Sequence, residues 1–252
     1  GTGMVAMPGM TDAHVHMGCL FAKGEFPVDY ATVLTVAKCK DALMAGFTTF
    51  RDAGSVSEGL KLAFDEGVLP GPRIYPCGAY ISQTCGHGDS EYAHTYRDIQ
   101  YRHPSSTVLV DGVPEIIRAV REQFYRGASH IKLMATEILN RHEDIRFLFG
   151  TDMMITGPDY QVEQSEDIRY YEKRFGTMRA LRALTGTANE VFALTTYQNP
   201  YPKGKIGVLE AGSYADLLLV DGDPTKSVSV LADTDHLRLI MKGGTVYKNT
   251  LC

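Results

Sequence analysis

The chain has 252 residues, 44% hydrophobic and 22% charged, the balance of a soluble globular protein with enough apolar side chains for a sizeable core. A formal net charge of −5 gives no basic surface for nucleic acid, and no apolar run is long enough to span a bilayer. The five cysteines, Cys19, Cys39, Cys77, Cys85 and Cys252, include no Cys-x-x-Cys pair, which points to reduced thiols and a cytoplasmic setting.

The first residues, Gly1-Thr2-Gly3-Met4, lack the charged start and apolar core of a secretory leader, and the missing Met at position 1 suggests a fragment. Met4, Val5 and Ala6 read as a strand approach that runs into Pro8-Gly9. The stretch Met7-Pro8-Gly9-Met10-Thr11-Asp12-Ala13-His14-Val15-His16 follows. Two residues apart on an extended segment, His14 and His16 point to the same side, where two neutral imidazoles can share a metal ion. Two surface histidines are the plain alternative; the turn and Asp12 favour the metal pair.

Beyond a loop, Val33, Val36, Ala37, Leu43 and Met44 give a helical stripe over residues 30–45, closed by Gly46. Residues 47–50 read as a short buried strand ending at Arg51-Asp52, residues 58–66 as a helix, and residues 73–77 as a strand. This alternation with short loops predicts parallel βα units. The loop Gly86-His87-Gly88-Asp89 lets backbone approach a ligand while offering an imidazole and a carboxylate, although Gly and Asp are also what plain turns use. Residues 92–106 are polar and Tyr-rich, an excursion over the mouth in which His94 and His103 read as solvated. A helix is expected over 113–126 with Ile116, Ile117, Val120 and Phe124 on one face, then a strand over 129–135. Alternation there turns His130, Lys132 and Met134 inward and Ile131 and Leu133 towards the helices. A polar segment, 137–143, leads to another strand over 145–152. Helices over 175–184 and 185–194 precede a β-rich tail, whose hairpin joins 237–241 to 245–248 through Gly243-Gly244.

The stretch Pro8-Gly9-Met10-Thr11-Asp12-Ala13-His14-Val15-His16 resembles the first-strand motif of metal-dependent amidohydrolases. Its flanks look most like the imidazolonepropionase-related branch that includes Xaa-Pro dipeptidases. The resemblance implies an α/β fold: a (β/α)8 TIM barrel, here partial, over residues 4–200, with the C-terminal part of a small β-sandwich over 201–252. It implies that His14 and His16 bind the more buried of two metals. Lys132, in Gly127-Ala128-Ser129-His130-Ile131-Lys132-Leu133-Met134, would be N-carboxylated and bridge the metals; a rim lysine reaching solvent is the competing reading. Asp152, in Phe149-Gly150-Thr151-Asp152, would bind metal and shuttle the proton, and His87 and Asp89 would lie near the substrate. Arg51 and Asp52 would orient these groups or form a structural ion pair. The family's strands 5 to 7, with two metal-binding histidines, find no counterpart between Thr136 and the last strand. His142, in a polar context, does not replace them, and the first half of the sandwich would precede Met4.

The expected function is metal-dependent hydrolysis of C–N bonds in dipeptides or small cyclic amides, with one or two zinc-like ions and a carbamate on Lys132, in a fragment or internally deleted form whose metal binding is expected to be weak and its hydrolysis low or absent. The expected partner is a small-molecule substrate, with no nucleic acid or membrane, and homo-oligomers are allowed. Alternatives are a mononuclear deaminase-type enzyme, against which Lys132 counts, and a non-catalytic remnant or scaffold.

Overall fold

A computed structural model of the protein describes residues 2–17, 28–54, 58–89, 107–134, 148–154 and 160–251. The readings of Cys19, His94, His103, His142, Cys252 and residues 145–147 lie outside these.

Two sheets organise the chain. The first is parallel, with β4 (Arg73–Tyr75), β3 (Phe47–Asp52), β2 (Met10–His16) and β7 (Met153–Met154) in that order. Beyond β4 the chain resumes as β5 (Tyr80–Ser82), which pairs in parallel with β6 (Thr107–Leu109) and bridges Leu133 through Ile81. Neither the second half of this third strand nor β6 was legible in sequence. The strand expected over 129–135 is reduced to two backbone bonds, Ile81 N to Lys132 O and Met134 N to Ile81 O, both 2.9 Å. Among the described residues the parallel strands thus fall into a four-stranded sheet and a separate two-stranded pair, where a complete barrel closes eight.

Helices α1 (Val28–Met44), α2 (Glu58–Asp65) and α3 (Val113–Tyr125) return the chain between these strands. Gly46, at φ +90°, closes α1 in the left-handed conformation that a β-carbon disfavours. α3 bears out only part of the inward face that its apolar pattern predicts. Ala119 and Gln123 are buried and Val120 packs beside them, while Ile116 and Ile117 lie exposed. The reason is a specific polar contact: Gln123 Oε1 accepts the Ala79 amide at 2.9 Å, so burying an amide side chain satisfies backbone. Leu133, expected to face the helices, is also exposed.

α4 (Tyr160–Phe175), α5 (Thr177–Leu184), α6 (Gly186–Phe192) and a 3-10 segment (Ala193–Gln198) follow β7. α4 escapes sequence reading because its inward stripe is Gln164, Ile168 and Tyr171, of which only Ile168 is plainly apolar. It is pinned by Glu172, whose carboxylate accepts from Thr177 Oγ1 and Ser227 Oγ at 2.9 Å, from the Val228 and Ser229 amides at 2.9 and 3.0 Å, and from Ser229 Oγ. Burial works to raise the Glu172 pKa, and these donors outweigh it, leaving it at about 2 against an ordinary 4.5. Because the folded value is the lower one, the stabilisation is complete above pH 4.5 and is lost as pH falls towards 2. Thermal melts should therefore show wild type more stable than Glu172→Gln near neutrality, with the gap closing across that acid window; a gap independent of pH would contradict the assignment.

The second sheet is antiparallel, in the order β1 (Val5–Pro8), β8 (Leu217–Val220), β9 (Leu237–Lys242), β10 (Thr245–Asn249). β1, expected to lead into the barrel, instead pairs with β8 from Val5↔Val220 to Pro8↔Leu217. Gly9 then redirects the chain, and it cannot be larger, since a β-carbon there would fall 2.1 Å from Thr48 Oγ1. One continuous core joins the two sheets, with Met10, Phe47, Phe50 and Phe149 meeting Leu218, Leu237 and Ile240.

Candidate metal centre

The candidate centre sits at the carboxyl ends of β2 and the strand-like stretch 148–154. Val15 and His16 pair with Met153 and Met154, the Ala13 amide donates to Phe149 O, and the Asp152 amide donates to His14 O, the last two at 2.8 Å. Gly150 permits this closeness, because a β-carbon on it would lie 2.7 Å from His14 Cβ.

His14 is not placed by simple alternation. In β2, the three steps from Asp12 to Val15 match only two in β3, from Phe50 to Asp52, so one extra residue is accommodated there. The bulge frees backbone groups, and side chains take them up. Asp12 Oδ1 accepts the His14 amide at 3.1 Å, and Arg51 Nε donates to Ala13 O at 2.7 Å. Arg51 therefore supports the backbone before His14. Asp52, fully buried, accepts the Met17 amide at 3.4 Å and faces Cys77 Sγ at 3.7 Å.

His14 Nε2 and His16 Nε2 each lie 3.1 Å from Asp152 Oδ1, and Lys132 Nζ lies 3.1 Å from His14 Nε2. His16 is buried, whereas the Asp152 side chain is 74% exposed and held at φ 55°, a left-handed backbone that Asp tolerates better than most residues. Burial first, then the Lys132 ammonium, pulls the His14 imidazole down to about 4. Burial likewise lowers His16, against the pull of Asp152. Both are therefore neutral at pH 7, and the contacts with Asp152 join a carboxylate to imidazoles rather than to imidazoliums. Neutral imidazole is also the metal-binding form.

Two imidazole nitrogens and a carboxylate oxygen, all within 4.8 Å of one another, suit a divalent cation of the zinc kind. The chemistry of this donor set fits such an ion. His130 stands alongside, with Nε2 3.0 Å from Asp52 O and Nδ1 3.0 Å from Ser129 Oγ. Burial, with Arg51 next, lowers its pKa to about 4. His130 and Arg51 also line a cavity of about 350 Å³ with Tyr75, Phe192, Leu194 and Tyr197.

Four of the six residues expected to form the site, His14, His16, Lys132 and Asp152, are brought together. His87 is exposed in its loop, near enough to His16 for their charges to interact. Asp89 accepts the Cys85 amide at 2.9 Å, where Cys85 adopts φ 58°. Its observed contact thus closes the loop. Sequence reading missed Thr151 and Gln164, which contact Asp12; the first sits beside Asp152 and was visible, but the second lies on the unrecognised α4.

The amidohydrolase family model matches residues 5–144, more than half of the chain. The chain belongs to the amidohydrolase family. Ochratoxinase of Aspergillus niger is 32% identical to it over 164 residues, which take in 57% of this amidohydrolase chain but 34% of the ochratoxinase. Only about a third of that relative is thus represented in the match. In fold, a solved amidohydrolase superposes with a TM-score of 0.82 at 22% identity, covering 99% of this chain and 88% of its own. A prolidase solved with N-methylphosphonate-L-proline gives 0.75 at 21%, covering 98% and 88%. The TIM-barrel class expected from the sequence agrees with these superpositions. Among the described residues no helix is long and apolar enough to cross a membrane.

Proposed function

We propose that this amidohydrolase binds a divalent metal through His14, His16 and Asp152 and hydrolyses C–N bonds of small amides or dipeptides. The convergence of the two Nε2 atoms on Asp152 Oδ1 carries the reading. Family membership and the similarity to ochratoxinase support hydrolytic chemistry, and the prolidase neighbour agrees in fold.

A bound ion of this kind supplies Lewis acidity, polarising a carbonyl and lowering the pKa of water. The chain's own residues do the rest. His14 and His16, neutral and fixed on β2, present lone pairs without competing protons. Asp152, open to solvent on its outer side, takes a proton from the attacking water and returns it to the leaving nitrogen. Lys132 Nζ lies 3.1 Å from His14 Nε2, within reach of the same ion. We propose that Nζ, after giving up a proton, adds to CO2 to form a carbamate, which would offer the ion an anionic oxygen in place of a repelling cation. Its place beside His14 favours this reading over a deaminase-type site. Zinc is the proposed ion, and the cytoplasm the proposed location. The test is metal content of the purified chain, with turnover of a panel of N-acyl amino acids and Xaa-Pro dipeptides. About one ion per chain with metal-dependent amide cleavage is expected; absence of uptake from a zinc-containing buffer would refute it.

A further inference from the structure

Asp12 is a fully buried carboxylate that touches none of the candidate ligands through their side chains, yet it reaches both segments that carry them. On its own strand it accepts the His14 amide at 3.1 Å, within the bulge. Across the gap it accepts Thr151 Oγ1 at 2.8 Å and the Thr151 amide at 3.3 Å, and Gln164 Nε2 reaches it from α4 at 3.4 Å. Thr151 immediately precedes Asp152, whose left-handed backbone must be held by its surroundings.

We infer that the Asp12–Thr151 clasp is a positioning device, locking the bulged His14 segment to the Asp152 turn so that their ligand atoms meet at one point. The regular pairing described between β2 and β7 is two residues long, Val15↔Met153 and His16↔Met154, continued by the Ala13 N to Phe149 O and Asp152 N to His14 O bonds. A ladder this short leaves part of the alignment to side chains. The clasp adds two bonds on the other side of His14, at the residue adjoining Asp152. An error of about 1 Å in such a shared site is enough to lose much of its binding.

The inference rests on the metal reading above, and the test separates the two. Zn²⁺ affinity would be titrated against a chelating dye for wild type, Thr151→Val and Thr151→Ser, with thermal melts of each protein stripped of metal. Valine keeps the volume and removes the Oγ1 donor; serine restores the donor. Supporting partners of metal ligands typically contribute about 10–100-fold in affinity. The expected result is a loss of that order in Thr151→Val, recovery in Thr151→Ser, and no matching difference in metal-free melting between the two variants. Unchanged Zn²⁺ affinity in a folded Thr151→Val would overturn the clasp alone. A wild-type chain that takes up no Zn²⁺ would overturn the metal reading and the clasp together. If Thr151→Val does not fold, Thr151→Ala, which also lacks the Oγ1 donor, takes its place: weakened binding supports the clasp and wild-type affinity overturns it.

Discussion

Asp216→Ala should cost about 3–5 kcal/mol of stability, the toll of leaving a buried charge without its partner. Asp216 accepts Arg73 Nη1 through both oxygens, at 2.6 and 2.5 Å, and both side chains are almost wholly removed from solvent. Arg73 belongs to β4 of the parallel array and Asp216 adjoins β8 of the tail sheet, so this pair ties one sheet to the other. The same carboxylate accepts the Gly243 amide at 2.7 Å, at the β9–β10 turn. Removing it strands a guanidinium and an amide together. The aromatic faces of Tyr214 and Tyr201, 4.3 and 5.8 Å from the guanidinium, do not replace a counter-charge. Chemical denaturation would measure the loss. Arg73→Met combined with Asp216→Leu should recover most of it, since apolar pairs of similar volume often match buried ion pairs, leaving a remainder for the orphaned Gly243 amide. A loss below about 1 kcal/mol for the single change would show that the seam is wetter than its geometry implies.

Asp152→Asn should leave the protein folded and lower amide turnover by about 10²–10⁴-fold, the usual contribution of a positioned acid–base group. The substitution is well suited to its site. Asparagine accepts φ 55° as readily as aspartate, so the backbone beside His14 is preserved, whereas valine or leucine would add strain of its own. What disappears is the anionic oxygen shared by His14 and His16 and the capacity to carry a proton. Zinc affinity should weaken as well, so turnover is to be compared at saturating metal. Turnover equal to wild type under those conditions would remove Asp152 from the proposed chemistry.

In the candidate cluster the His14–His16 pair was legible because it is local, Asp12, His14 and His16 lying within five residues, whereas Lys132 and Asp152 were reached only through the family resemblance of the stretches that carry them. The βα rhythm up to residue 77 was legible too, since each unit buries apolar residues at its own period. What could not be read depended on partners far along the chain or on polar groups in apolar roles. Gln123 and Gln164 are buried because each satisfies a specific group, Ala79 N and Asp12, which no hydrophobic pattern announces. The bulge that seats His14 depends on its register with β3 and is invisible in β2 alone. β1 looks like the start of a barrel strand because nothing near it in sequence reveals β8.

The placement of β1 has a consequence for the order in which the protein assembles. Its neighbour among the described residues, β8, is made roughly 200 residues later, so during synthesis the β1–β8 pairing waits while the parallel units emerge and collapse. Such distant pairing is a slow step, because a very long loop must close before any contact rewards it. The β1–β8 ladder is therefore a late element to form, and its completion joins Val5–Pro8 to Leu217–Val220. Until then β1 lacks its β8 partner, making this the stage at which two copies are most prone to exchange these strands.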